Sequence, residues 1–182
     1  DALRERFGNK IAPVVVPIWD DSKRVTGIID VLNKRAYEMQ GGKRVEIEIP
    51  EGKDAVITDF NDALKESVAE TSEELMDKFF SGEDFTYAEM IQGLRQGVRE
   101  NSLFPVLCGS AITTMGSLML MDYIVDLLPN PMEGNYHKAT RADGETEEFV
   151  VSPGGVPSAF VFKTVSDQYG KYSFVQVLSG AI

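Results

Sequence analysis

The sequence predicts an α/β fold, and three observations predict it. Short β-branched runs separated by turn residues fill residues 11–49. Apolar residues then recur at three- and four-residue spacing, and residues 103–128 read as a strand, a small-residue loop and a helix. The expected architecture is a helical and antiparallel segment beside that strand and helix, with an incomplete barrel hairpin after Pro157.

Residues 1–7 read as the tail of a helix stopped at Gly8. The run 11–18 is apolar and β-branched, and Pro13 and Pro17 mark it as an edge or boundary strand, because proline donates no ladder hydrogen bond. Residues 25–32, 34–39 and 44–49 continue the strand signal. Gly41-Gly42 supplies a turn pair that tolerates positive φ, so the whole reads as an antiparallel meander.

After Pro50 the period changes. Ile57, Phe60, Leu64 and Val68 mark one face of an amphipathic helix. Asp59, Asp62, Glu66, Glu70 and Glu73 follow the same spacing displaced by two residues, about 200° round the axis, so the carboxylates line the opposite side. Thr71 with Glu74 and Thr86 with Glu89 each form a capping-box pattern. They predict one helix carrying Leu75, Met76, Phe79 and Phe80 into the core, and another with Tyr87, Met90, Ile91, Leu94 and Val98 on one face.

Residues 103–107 read as a strand buried on both faces that breaks at Gly109. In the following helix, Met119, Leu120, Tyr123, Ile124 and Leu127 form the apolar face, and Pro129-Asn130-Pro131 stops it. Residues 134–154 are polar and glycine-containing and read as an interdomain linker. Strands at 158–166 and 172–178 flank a turn at 167–171. Both ends of the sequence read as cut, one within a helix and the other after a strand with no partner strand downstream.

The formal net charge of −11 argues against a general binder of the phosphate backbone, including DNA. No apolar run is long enough to cross a bilayer as a helix, so no membrane partner is expected. One cysteine and one histidine make neither a disulfide nor a zinc cluster, and a reducing cytoplasmic setting is expected.

Ligands of open α/β sheets bind beyond the carboxyl ends of strands, which makes Cys108-Gly109-Ser110-Ala111 the best-placed loop for a flat ring. Small residues also end strands for purely structural reasons. Cys108 has no histidine nearby in sequence, so it reads as a structural thiol. The paired Glu73 and Glu74 point about 100° apart on a helix and imply no acid–base site. His137 reads as a solvated loop side chain.

The order of segments resembles the elongation factor G family of translational GTPases. The resemblance rests on Leu3-Arg4-Glu5-Arg6-Phe7-Gly8, Thr26-Gly27-Ile28-Ile29-Asp30, Glu73-Glu74-Leu75-Met76-Asp77-Lys78 and Ala159-Phe160-Val161-Phe162-Lys163. Most specific is Pro105-Val106-Leu107-Cys108-Gly109-Ser110-Ala111 followed by a helix ending Asp126-Leu127-Leu128-Pro129-Asn130-Pro131. The resemblance implies that residues 1–133 form the later part of a P-loop-type GTP-binding domain, with an inserted α+β subdomain at about 19–102. Residues 155–182 would begin a β-barrel domain.

It also implies that Cys108, Gly109, Ser110 and Ala111 form the last guanine-base loop, in which a backbone N–H faces the guanine oxygen. The parent protein would be a ribosome-dependent GTPase of translation elongation using GTP/GDP and Mg2+. The stalk protein would meet the inserted subdomain, and ribosomal RNA the barrel. The five carboxylates at Asp59, Asp62, Glu66, Glu70 and Glu73 are then either a partner-facing surface or an ordinary solvated one.

Departures accompany the matches. The family commonly reads Ser-Ala-Phe-Lys-Asn-Lys-Gly at the loop, where this chain has Ser110-Ala111-Ile112-Thr113-Thr114-Met115-Gly116. The family's barrel turn often reads Asp-Pro-Phe-Val-Gly-Lys, and here it is Asp167-Gln168-Tyr169-Gly170-Lys171. Both point to a divergent paralogue. Asn33-Lys34-Arg35-Ala36 resembles an Asn-Lys-x-Asp motif but lacks the aspartate. The sequence holds no Gly-x-x-x-x-Gly-Lys-Ser/Thr phosphate loop, so no catalytic residue is expected here, nor tight nucleotide binding by this stretch alone. The alternative is a non-enzymatic acidic module that binds a ribosomal or other basic protein.

Overall fold

The β-branched run near the start forms β1 (Ile11–Trp19), the organising strand of a five-stranded sheet. In the computed structural model, which describes residues 2–133, 137–140 and 142–182, the sheet order is β4-β3-β2-β1-β5. Strands β2 (Val25–Asp30), β3 (Arg35–Gln40) and β4 (Lys43–Ile47) follow β1 as the expected antiparallel meander. Gly41 and Gly42 turn between β3 and β4 with φ of +55° and +79°. Strand β5 (Phe104–Leu107) returns from far along the chain and pairs parallel to β1.

The expectation that β1 lies at an edge is corrected by this order, because β1 is paired on both sides. The prolines survive there through the alternation of the ladder. Val14 O accepts from Val31 N–H on the β2 side, whereas Val15 O accepts from Cys108 N–H on the β5 side. Successive residues bond in opposite directions, so Pro13 and Pro17 turn their missing donors toward β5. Pro13 sits where the β5 register shifts, and Pro17 lies past the last β5 pair, Val15 with Leu107. Neither position loses a bond to β2.

Helix α1 (Ala2–Phe7) precedes the sheet and ends at Gly8, where φ is +69°. Helices α2 (Asp54–Ala69), α3 (Glu73–Phe80) and α4 (Tyr87–Arg99) fill the excursion between β4 and β5. Ile28 faces one core with Val14, Val31, Leu64, Val68, Leu94 and Leu103. Its neighbour Ile29 faces the other, smaller core with Ile18, Ala36 and Ile57, as the two-residue period of a strand requires.

Several local expectations are corrected. The cap of α3 is Ser72, whose side chain accepts from Leu75 N–H, while the Thr71 hydroxyl bonds back to Val68 O. Thr86 and Glu89 form the full capping box expected of α4. Of the apolar residues assigned to α3's core face only Leu75 is buried, and Phe80 is 78% exposed. Tyr87 on α4 is exposed as well. Strand β5 is not buried on both faces, for Phe104 is exposed and none of its four residues is fully buried.

Helix α5 (Ser117–Leu127) buries Met119, Tyr123 and Leu127 but leaves Leu120 and Ile124 exposed. Asn33 is structural, donating to both oxygens of Asp30.

The chain divides into two compact units, Asp1–Leu128 and Pro129–Ile182. The second holds two hairpins. Strands β6 (His137–Thr140) and β7 (Thr146–Phe149) pair within the stretch read as a linker, a short ladder that its polar composition did not announce. His137 opens β6, and its side chain lies outside what is described, as do Asp1, Gly134 and Arg141. Strands β8 (Ser158–Asp167) and β9 (Gly170–Ser179) are the expected hairpin. Its turn is tighter than the sequence suggests, with only Gln168-Tyr169 between strands, and the Asp167 carboxylate accepts from the Tyr169 and Gly170 N–H groups. Among the described residues no helix is long and apolar enough to cross a membrane.

Candidate functional site

The parallel pairing of β5 with β1 delivers the chain to the loop at its carboxyl end. Cys108 N–H donates to Val15 O at 3.2 Å and carries the ladder one residue beyond β5. The backbone then doubles back. Ser110 N–H donates to Met115 O at 2.9 Å, and Ser110 Oγ accepts from Thr113 N–H at 3.3 Å. Buried Met115 anchors the returning limb in the larger core.

Two glycines make the closure fit. Gly116 has φ of +79°, and a Cβ there would lie 2.7 Å from Cys108 O. A Cβ on Gly109 would come within 3.0 Å of Met115 O. Gly116 is also the residue from which α5 starts.

The loop's donors are therefore unequal. The Ser110 N–H is committed to Met115, whereas the exposed Ala111 N–H has no acceptor among the described residues. Gly109, Ser110, Ala111 and Leu120 line a cleft of 270 Å³. On its other side the loop borders a 440 Å³ hollow with Pro17, Trp19 and Val25. Cys108 is partly buried, and that burial pushes its thiol up to about 11. A thiol held protonated is a packing group rather than a nucleophile. The loop can offer a hydrogen-bond donor and a flat small-residue wall to a planar ligand edge.

The acidic residues stand apart from this loop in sequence and on other elements. Asp59, Asp62 and Glu66 lie along the exposed side of α2, exposed Glu70 caps its C-terminal end, and exposed Glu73 opens α3. The stripe is not uniformly anionic. Lys65 Nζ lies 2.7 Å from Asp84 and 3.6 Å from Asp62, and the hydrogen bond to Asp84 raises the Lys65 pKa against the effect of burial.

One polar constellation had no signal in the sequence. Asp30, 5% exposed at the end of β2, accepts from the Tyr123 hydroxyl at 2.8 Å and from Asn33. Asn33 is a local partner three residues on, but Tyr123 lies 93 residues away, and no local spacing rule connects it to Asp30.

No family model matches the chain. Among curated proteins, the chain is 36% identical over 181 residues to an elongation factor G-like protein of Thermotoga maritima. The match covers 99% of this chain and 26% of that protein, so the chain spans about a quarter of its relative's length. Among solved structures, a crystal structure from Thermus thermophilus matches with a TM-score of 0.77 at 26% identity. It covers 98% of this chain and 24% of that one, and supports the mixed α/β architecture.

Proposed function

Because the chain is related along its length to a segment of an elongation factor G-like protein, we propose that it works as part of a ribosome-dependent translational GTPase located in the cytoplasm. In this reading Cys108-Gly109-Ser110-Ala111 is the guanine-selecting loop, residues 19–102 are an inserted subdomain, and β8 with β9 opens a β-barrel domain. The observation that carries it is the free donor at Ala111, held at a strand end by a loop whose other N–H is already used. Guanine presents a carbonyl oxygen to such a donor, whereas adenine presents an amino group, which leaves both donors unpaired.

The residues present fit the base of GTP or GDP and nothing more of it. The phosphates and Mg2+ call for a phosphate loop that this sequence does not contain, so they fall to another part of the GTPase. Bound nucleotide supplies the hydrolysable phosphoanhydride. This chain's contribution is to hold the base edge and to present a surface to partners.

The exposed carboxylates at Asp59, Asp62, Glu66, Glu70 and Glu73 support a contact with a basic ribosomal protein such as the stalk, chiefly by speeding encounter. The barrel strands would meet ribosomal RNA.

Two measurements test the proposal. The 182-residue chain alone should give no calorimetric heat with GDP at micromolar concentrations. In the full-length protein, Ala111→Pro removes the free N–H and should cut the preference for GTP over ATP at least tenfold. An unchanged preference would remove the loop from base recognition.

A further inference from the structure

Beside α5, on the face away from the loop, lies a polar pocket of 390 Å³. That volume is within the usual range for small-ligand sites, and what sets the pocket apart is its chemistry. Its walls carry three tyrosine rings, Tyr37, Tyr87 and Tyr123, and three carboxylates, Asp30, Asp122 and Asp126. Among the described residues the only cation lining it is Arg44.

The carboxylates are unevenly satisfied. Asp30 at the floor is buried and meets neutral donors, the Asn33 amide groups and the Tyr123 hydroxyl. Asp126 receives the Tyr87 hydroxyl across a long 3.5 Å, and Asp122 meets Arg44 at the same distance. Within the pocket lining, one guanidinium thus faces three acidic groups.

Arg44 also shows what these walls accept. Its guanidinium carbon lies 5.1 Å from the centre of the Tyr37 ring while a nitrogen approaches Asp122. A cation on a tyrosine face with a carboxylate beside it is an arrangement the pocket already makes once. The other half sets Tyr87 and Asp126 beside the buried Asp30 with no cation among the lining residues there, while Arg95, outside the lining, donates to the Asp126 backbone carbonyl at 3.0 Å.

The geometry points to this pocket as a binding site for an organic cation, an alkylammonium or guanidinium group that settles between Tyr87 and Asp126. Free polyamines and the side chains of basic proteins both carry such a group, and the two sources separate by experiment. A metal ion is a poorer fit, since no group of three or more ligating side chains converges among the described residues.

The test is calorimetric titration of the 182-residue chain at low ionic strength with spermidine in one arm and argininamide in the other. Saturation at one site per chain by either probe is expected, and the tighter probe identifies the source. Asp126→Asn should weaken that binding at least tenfold, and Asp122→Asn, at a more exposed position, should weaken it less. Asp21→Asn, an exposed aspartate in the turn between β1 and β2, should leave it unchanged. Should Asp126→Asn shift the thermal midpoint, the Asp122→Asn and Asp21→Asn pair still decides. Failure of both probes to saturate, or equal weakening by Asp21→Asn, would overturn the assignment and leave only general counter-ion attraction to a chain of net charge −11.

Discussion

The Tyr123 hydroxyl donates to Asp30 Oδ1 at 2.8 Å, tying the middle of α5 to the end of β2 across 93 residues of sequence. Burial first, and Asp30 second, raise the Tyr123 pKa above its ordinary value, so the phenol stays protonated as a donor. A group whose folded pKa is raised contributes stability that is present below its unfolded pKa, roughly 10, and is lost as pH climbs beyond it. Tyr123→Phe should therefore destabilise the first unit by about 1–3 kcal/mol in urea denaturation at pH 7. The deficit relative to wild type should shrink above pH 10. A constant deficit up to pH 11 would place the cost in packing instead.

Lys78 and Glu89 tie α3 to α4. The Lys78 ammonium lies 2.7 and 2.9 Å from the two Glu89 oxygens, and Glu89 also accepts the Thr86 N–H and hydroxyl. The Lys78 bond first, then those from Thr86, hold the Glu89 carboxyl down to about 2. A depressed folded pKa means stability present above the unfolded value near 4.5 and lost as pH falls toward 2. The stability gap between wild type and Glu89→Gln should be constant from pH 7 to 5 and close by pH 2. A gap independent of pH would assign the effect to side-chain shape alone.

Gly116→Ala sets a left-handed backbone against a clash with Cys108 O. We expect a loss of at least about 1 kcal/mol, seen as a lower thermal midpoint, because strain and contact both oppose the new Cβ. Gly144→Ala, with φ of +88° but nothing within 4 Å of its Cβ, separates the two causes and should cost less. Equal losses would mean that strain alone matters.

Cys108 should resist alkylation. Iodoacetamide labelling at pH 8 should be slower than for a free thiol, and the rate should rise toward a midpoint near 11, where burial has pushed the group. A midpoint near 8.5, the ordinary value for a free cysteine, would contradict the packing described for the loop.

The parts legible in the sequence are those that local rules govern. The meander announced itself through β-branched runs and Gly41-Gly42, α2 through Ile57, Leu64 and Val68, and the α4 cap through Thr86 with Glu89. The loop at Cys108 was located, but the inequality between Ser110 and Ala111 was not, since it depends on where Met115 O returns. The sequence points to Thr71 where Ser72 is the cap, because either hydroxyl suits a cap and only the backbone path decides. Pro13 and Pro17 suggested an edge because sequence does not show which way an N–H position faces. Phe79 and Phe80 suggested a core because apolar character alone does not say whether a neighbour is there to cover it. The Asp30, Tyr87 and Tyr123 pocket is long-range throughout.

The parallel pairing of Ile11 with Phe104 has a consequence in time. Nothing local can hold β5 against β1 until three strands and three helices have drawn the intervening chain into a compact body, because closing so long a loop costs entropy before any contact repays it. The Ser110–Met115 turn hangs on that pairing and so should be among the last parts of the first unit to form. Refolding followed at the meander should run ahead of refolding followed at the loop, and a chain that stalls early would have its meander well before this loop closed.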